Sequence, residues 1–250
     1  RLGGSASKLH LLLLLAAVNM DEQALTHLKA LLESMVYYST VNQIKTNELE
    51  RLYAQWCKQI REIHTDEELT SFINNKIKPT ISQWKVNNRS NFMRIGFDSM
   101  QQYRVKFILA RIIKYVDVRR KNGGDASNVA EFYEGGIEIE HIMPQKYSAA
   151  YGISEDDYNA AKQRLGNLTL LEKTINASIG DDAFASKSEA YRQSAYYLTR
   201  SIAQLDDVGQ QTAINRMNQK LRSWSSWGPS LIEDRQAILY DLSEEIWSID

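Results

Sequence analysis

Cysteine, proline, glycine and long apolar runs are all scarce here, and each scarcity excludes something. The 250 residues include one cysteine, three prolines and twelve glycines. A single thiol, Cys57, rules out an internal disulfide and a zinc cage built on cysteines. It fits a reduced, cytoplasmic setting, and beside Trp56 it reads as a small buried hydrophobe. Few prolines and glycines leave little turn chemistry for a hairpin-rich β fold, so a mainly α fold is expected. Leu11–Val18 follows Lys8 and His10 in the manner of a secretory leader. A bilayer span needs about 20 apolar residues, however, and no clear small-residue cleavage site follows. The run reads as a buried helix, and no membrane partner is expected. Arg1, in place of an initiator methionine, leads us to expect a piece of something longer.

What is present is ordinary in amount and uneven in distribution. The chain is 43% hydrophobic and 24% charged with a net charge of −1, the profile of a globular protein of one or two domains. Between Leu69 and Lys121, twelve Lys and Arg residues face only Asp98 and Asp117, whereas the whole chain carries 30 basic and 31 acidic residues. Such a block is a candidate phosphate-binding surface. Within it Arg111, Lys114, Arg119, Arg120 and Lys121 are the expected nucleic-acid contacts.

Helical periodicity runs through the first half. Leu9–Val18, Asp21–Tyr38 with Asp21 as N-cap, and Thr46–Ile63 each space apolar residues on one face. Thr65 with Glu68 reads as a capping box opening another helix, and Pro79 breaks or starts an element. A long helix is expected over Phe97–Val118. The polar turn Lys121–Ser127, with Gly123-Gly124, is the expected boundary between a helical region 1–122, with its basic segment 69–121, and a second region 123–250. There the period changes. Gly135–Glu140 alternates as a strand does, and Arg164–Leu171 is an apolar run of strand length. Helices resume with Glu189–Leu205, Gln210–Trp224 and Ser230–Trp247.

Chemistry concentrates where the period changes. Glu140-His141-Ile142-Met143-Pro144 is followed by Gly166-Asn167-Leu168-Thr169-Leu170-Leu171, then Asn176 and Lys187. An imidazole can take a proton from water near neutral pH. A carboxylate and an amide oxygen are hard ligands suited to Mg²⁺ or Mn²⁺. Neighbours on a regular strand point to opposite faces, so Glu140 and His141 can serve one site only if the backbone twists or bulges there.

These residues resemble the HNH, or His-Me finger, nucleases. With Gln145, Phe184 and Tyr191 added, they resemble more closely the C-terminal domain of GmrSD-type, modification-dependent restriction proteins. Similar domains occur in phosphorothioate-sensing defence nucleases. The likeness spans about Ile137 to Ala203. It implies a small ββα-metal (HNH-like) insert at about 135–190 and a metal-dependent DNA endonuclease or nickase acting in phage defence. It assigns catalytic roles to His141 as general base and to Asn167, Asn176 and Lys187. It makes Glu140 and Asn176 the ligands of Mg²⁺ (or Mn²⁺), and implies a nucleotide-sensing N-terminal domain missing from this chain. Lys187 stands farther from Asn176 than simple HNH motifs place it. Asp207-Val208-Gly209-Gln210-Gln211 echoes a signature of that sensing domain, but Val208 interrupts it and it reads as a helix start. The alternative is a non-catalytic helical module, binding nucleic acid or protein, with a degenerate HNH site.

Overall fold

In the computed structural model, which describes residues 9–124, 128–207 and 209–249, helices dominate and only two short strands appear among the described residues. The chain is mainly α. It forms two compact units. One holds the described residues up to Phe92 with those from Trp247 onward, the other Met93–Ile246.

The first unit contains α1 (His10–Ala16), α2 (Glu22–Val41), α3 (Thr46–Ile60), α4 (Asp66–Phe72), α5 (Lys78–Lys85) and α6 (Asn88–Phe92). Local sequence explains their starts. The Asp21 carboxylate accepts the Ala24 N–H at 2.7 Å, capping α2. Thr65 and Glu68 close a reciprocal box over the first turn of α4, worth about 1 kcal/mol. Pro79 lies in the first turn of α5, which runs on from a π-helical turn at Ile73–Ile77. Two expectations are corrected. α1 is buried on one side only: Leu13 is 1% exposed, but Leu15 is 73% exposed. Cys57 is half-buried, its thiol 3.5 Å from the Leu12 carbonyl.

The second unit begins with an irregular stretch and then α7 (Gln102–Arg120). The expected helix from Phe97 starts later because the Phe97 N–H bonds the Gln163 carbonyl at 2.7 Å, and Gly96 bridges to Arg164. Next come β1 (Ile137–His141), α8 (Glu155–Gln163), β2 (Leu168–Glu172), α9 (Lys173–Ile179), α10 (Phe184–Tyr191), α11 (Tyr197–Ala203), α12 (Ala213–Asn218) and α13 (Pro229–Ile246). α7 packs on β2, α11, α12 and α13. The units therefore part between Phe92 and Met93, upstream of the polar turn at 121–127. Asp125, Ala126 and Ser127 of that turn lie outside the described residues, as does Val208.

β1 and β2 pair antiparallel, from Ile137↔Glu172 to His141↔Leu168. The core beneath them gathers Ile142, Met143, Tyr158, Leu171, Tyr191 and Trp227. The continuous helix expected over Glu189–Leu205 is two helices. Glu172 at the end of β2 accepts the Ser194 hydroxyl at 2.9 Å and the Ala195 N–H at 2.7 Å, holding the chain out of helix between them. α8, with Ser154 as its cap, fills a stretch that the periodicity left unassigned.

Candidate active site

β1 presents its side chains alternately. Its pairing with β2 is one-to-one through His141, with no extra residue. The bulge that would bring Glu140 and His141 to one side is therefore absent, and regular alternation sends them to opposite faces.

Glu140, 6% exposed, meets α10. Lys187 Nζ, on a residue 1% exposed, donates to Glu140 Oε1 at 2.7 Å and to the His141 carbonyl at 2.7 Å. The Tyr191 hydroxyl donates to the same Oε1 at 2.9 Å. Burial pushes the Glu140 carboxyl up from its ordinary range, against the pull of Lys187 and Tyr191. Two residues back, Glu138 Oε2 accepts Asn176 Nδ2 at 2.9 Å. Asn176 lies within α9.

His141, 3% exposed, meets the edge of Phe97 with ring centroids 4.8 Å apart. Its Nε2 is buried and has no hydrogen-bond partner among the described residues. Burial, with help from the charges of Lys187 and Lys162, holds the imidazole down to about 4, so it is neutral at physiological pH.

The turn after His141 is tied down from several directions. The Ile142 N–H bonds the Asn167 carbonyl at 2.9 Å. Asn167 Oδ1 accepts the Met143 N–H at 2.7 Å and Trp227 Nε1–H at 2.9 Å, while its Nδ2 donates to the Lys162 carbonyl at 2.9 Å. The Asp181 carboxylate accepts the Gln145 and Lys146 N–H groups at 2.6 and 3.0 Å. The Tyr158 hydroxyl donates to the Pro144 carbonyl at 2.7 Å. Gly166 is required by space, since a Cβ there would stand 2.0 Å from the Ile232 carbonyl oxygen of α13.

The structure thus brings Asn167 against the His141 turn, Lys187 against Glu140 and His141, and Asn176 against Glu138. Asp181, Tyr158, Trp227, Arg235 and Gln236 also hold this region and carried no motif. One signal was available for α13: Arg235 and Gln236 interrupt the buried stripe of Ile232, Leu239 and Leu242. A charged or amide group on an apolar helix face is there for a partner.

For a divalent cation, Glu138, Glu140 and Asn176 are oxygen donors of a suitable type on one side of β1. By donor chemistry they fit Mg²⁺ or Mn²⁺. No cluster of three or more His, Cys, Asp or Glu able to hold a metal occurs among the described residues.

The basic block is less uniform than its sequence. Arg111 is 8% exposed and so is corrected: a buried guanidinium presents no charge to a phosphate. Lys114 pairs with Glu131 at 3.3 Å, and Arg120 with Asp206 at 3.1 Å. Arg119 lies over the Tyr115 ring at 5.2 Å. Arg119 and Lys121 are exposed.

A family model for the C-terminal domain of GmrSD restriction endonucleases matches residues 83–242. The chain belongs to that family. Nearly the whole GmrSD match lies in the unit that carries β1 and β2. No curated protein matches the chain. No helix among the described residues is long and apolar enough to cross a membrane.

Proposed function

We propose that this domain hydrolyses DNA phosphodiesters as the effector part of a modification-dependent restriction protein, with His141 as general base of an HNH-type site. Family membership supports the nuclease role. The observation that carries the base assignment is the His141 imidazole, whose buried Nε2 lacks a partner on a turn pinned through Asn167. A neutral imidazole takes a proton from an attacking water. The β1–β2–α9 unit is the proposed ββα-metal insert. Glu140 and Asn176 would hold Mg²⁺ or Mn²⁺ with water completing the shell, relieving charge on the phosphate and the leaving oxygen. Since β1 sends Glu140 and His141 to opposite faces, the proposal requires the end of β1 to twist when DNA binds, so that both reach one phosphate. Lys187 orders the strand at Glu140 and His141. Arg119 and Lys121 would touch the DNA backbone without reading sequence. Control by a nucleotide-sensing domain of the same protein is part of the proposal.

The alternative, a non-catalytic nucleic-acid-binding module, draws on one observation: Glu140 is already engaged by Lys187. Supercoiled plasmid separates the two. The proposal expects nicked or linear product with Mg²⁺ or Mn²⁺, none with EDTA, and a melting temperature that EDTA leaves unchanged. DNA binding without cleavage under either ion would support the alternative. A large loss of melting temperature on chelation would mark a structural metal instead.

A further inference from the structure

Four hydrogen bonds from the C-terminal segment converge on three consecutive residues, Gly166, Asn167 and Leu168. Trp227 Nε1–H donates to Asn167 Oδ1 at 2.9 Å. Arg235 Nη1 donates to the Gly166 and Leu168 carbonyls at 2.8 and 2.7 Å. Gln236 Oε1 accepts the Gly166 N–H at 3.1 Å. Trp227, Arg235 and Gln236 are 6%, 2% and 0% exposed. Two of these three residues hold the base. Leu168 is the strand partner of His141, and Asn167 takes the Ile142 N–H on its carbonyl and the Met143 N–H on its side chain. The backbone from His141 to Met143 is therefore set by 167–168, and 166–168 are set by the C-terminal segment. Stability alone does not explain this chemistry. A buried guanidinium is costly to desolvate, and apolar replacements of buried charged groups are often neutral or stabilising. Directed hydrogen bonds instead fix one geometry.

We propose that Trp227, Arg235 and Gln236 are positioning residues of the His141 site, acting through Gly166 and Asn167. This rests on the reading of His141 as the base. Trp227→Phe tests it with least disturbance, because an aromatic ring, smaller than the indole, still faces Phe184, which the indole stacks on at 5.5 Å, and the N–H is lost. Plasmid nicking and amide hydrogen exchange are measured together on parent, Trp227→Phe and His141→Ala. The expected result is a kcat lower by about 10–100-fold with KM unchanged. The Met143 amide should also exchange at least about tenfold faster, while Ile108 in α7 keeps its protection. An unchanged kcat, or a lower kcat with Met143 protection intact, would overturn the proposal. If parent and His141→Ala nick equally, it is the reading of His141 as base that fails, and Met143 exchange alone decides the clamp: faster supports it, unchanged overturns it. Should Trp227→Phe fail to fold, Gln236→Met is read in the same way at the Gly166 amide.

Discussion

Glu140 stands on β1 and Asn167 in the turn that leads into β2, both buried, yet their surroundings solve the cost of burial differently. Glu140 is a charge held by a charge, with Lys187 and Tyr191 on one oxygen. Asn167 is a neutral amide held by neutral donors and acceptors, with Trp227 and the Met143 and Lys162 backbone around it. A charged pair is strong only while both members remain, because either one alone is a buried uncompensated ion. An amide network loses one bond at a time. The difference teaches where the unit is brittle: β1 depends all-or-none on its α10 side and by degrees on its α13 side.

Lys187→Met should break the charged side and have the largest effect on stability, about 3–5 kcal/mol by chemical denaturation. The double variant Glu140→Leu/Lys187→Met should recover most of that loss, since both ions leave together. No recovery would mean that the pair does more than neutralise itself.

Gly166→Ala probes the amide side at its tightest point. The added Cβ meets backbone on α13 that cannot swing away, so a cost near 3 kcal/mol is expected, at the upper end of overpacking. A melting curve within 1 °C of the parent would show that α13 yields freely, and the contrast would be lost.

Tyr191→Phe should cost least, about 1 kcal/mol, because Lys187 still satisfies Glu140 Oε1. A loss as large as that of Lys187→Met would make the tyrosine, not the lysine, the anchor.

Legibility in the sequence followed the range of the interaction. Asp21 and the Thr65–Glu68 box act within one turn, and both were readable before any coordinates. The strands at 137–141 and 168–172 were readable from alternation and apolar run length, each within a few residues. The break between α10 and α11 was hidden, because Glu172 makes it across more than twenty residues. The motif marked Glu140, His141, Asn167 and Lys187, and the structure gathers them around β1. How β1 presents Glu140 and His141 was not legible, since whether the strand bulges there is decided by its pairing with β2. Burial of Arg111 was likewise invisible to a count of charges. Trp227, Arg235 and Gln236 reach the site from about 60–70 residues away, a distance at which spacing carries no information.

The central claim is that His141 is the base of a DNA-cutting site. It is tested most directly by His141→Ala on supercoiled plasmid, with circular dichroism and DNA affinity measured on the same preparation. The account predicts an unchanged spectrum, near-parental affinity and a cleavage rate lower by about 10²–10⁴. A normally folded His141→Ala protein that cuts at the parental rate would contradict it.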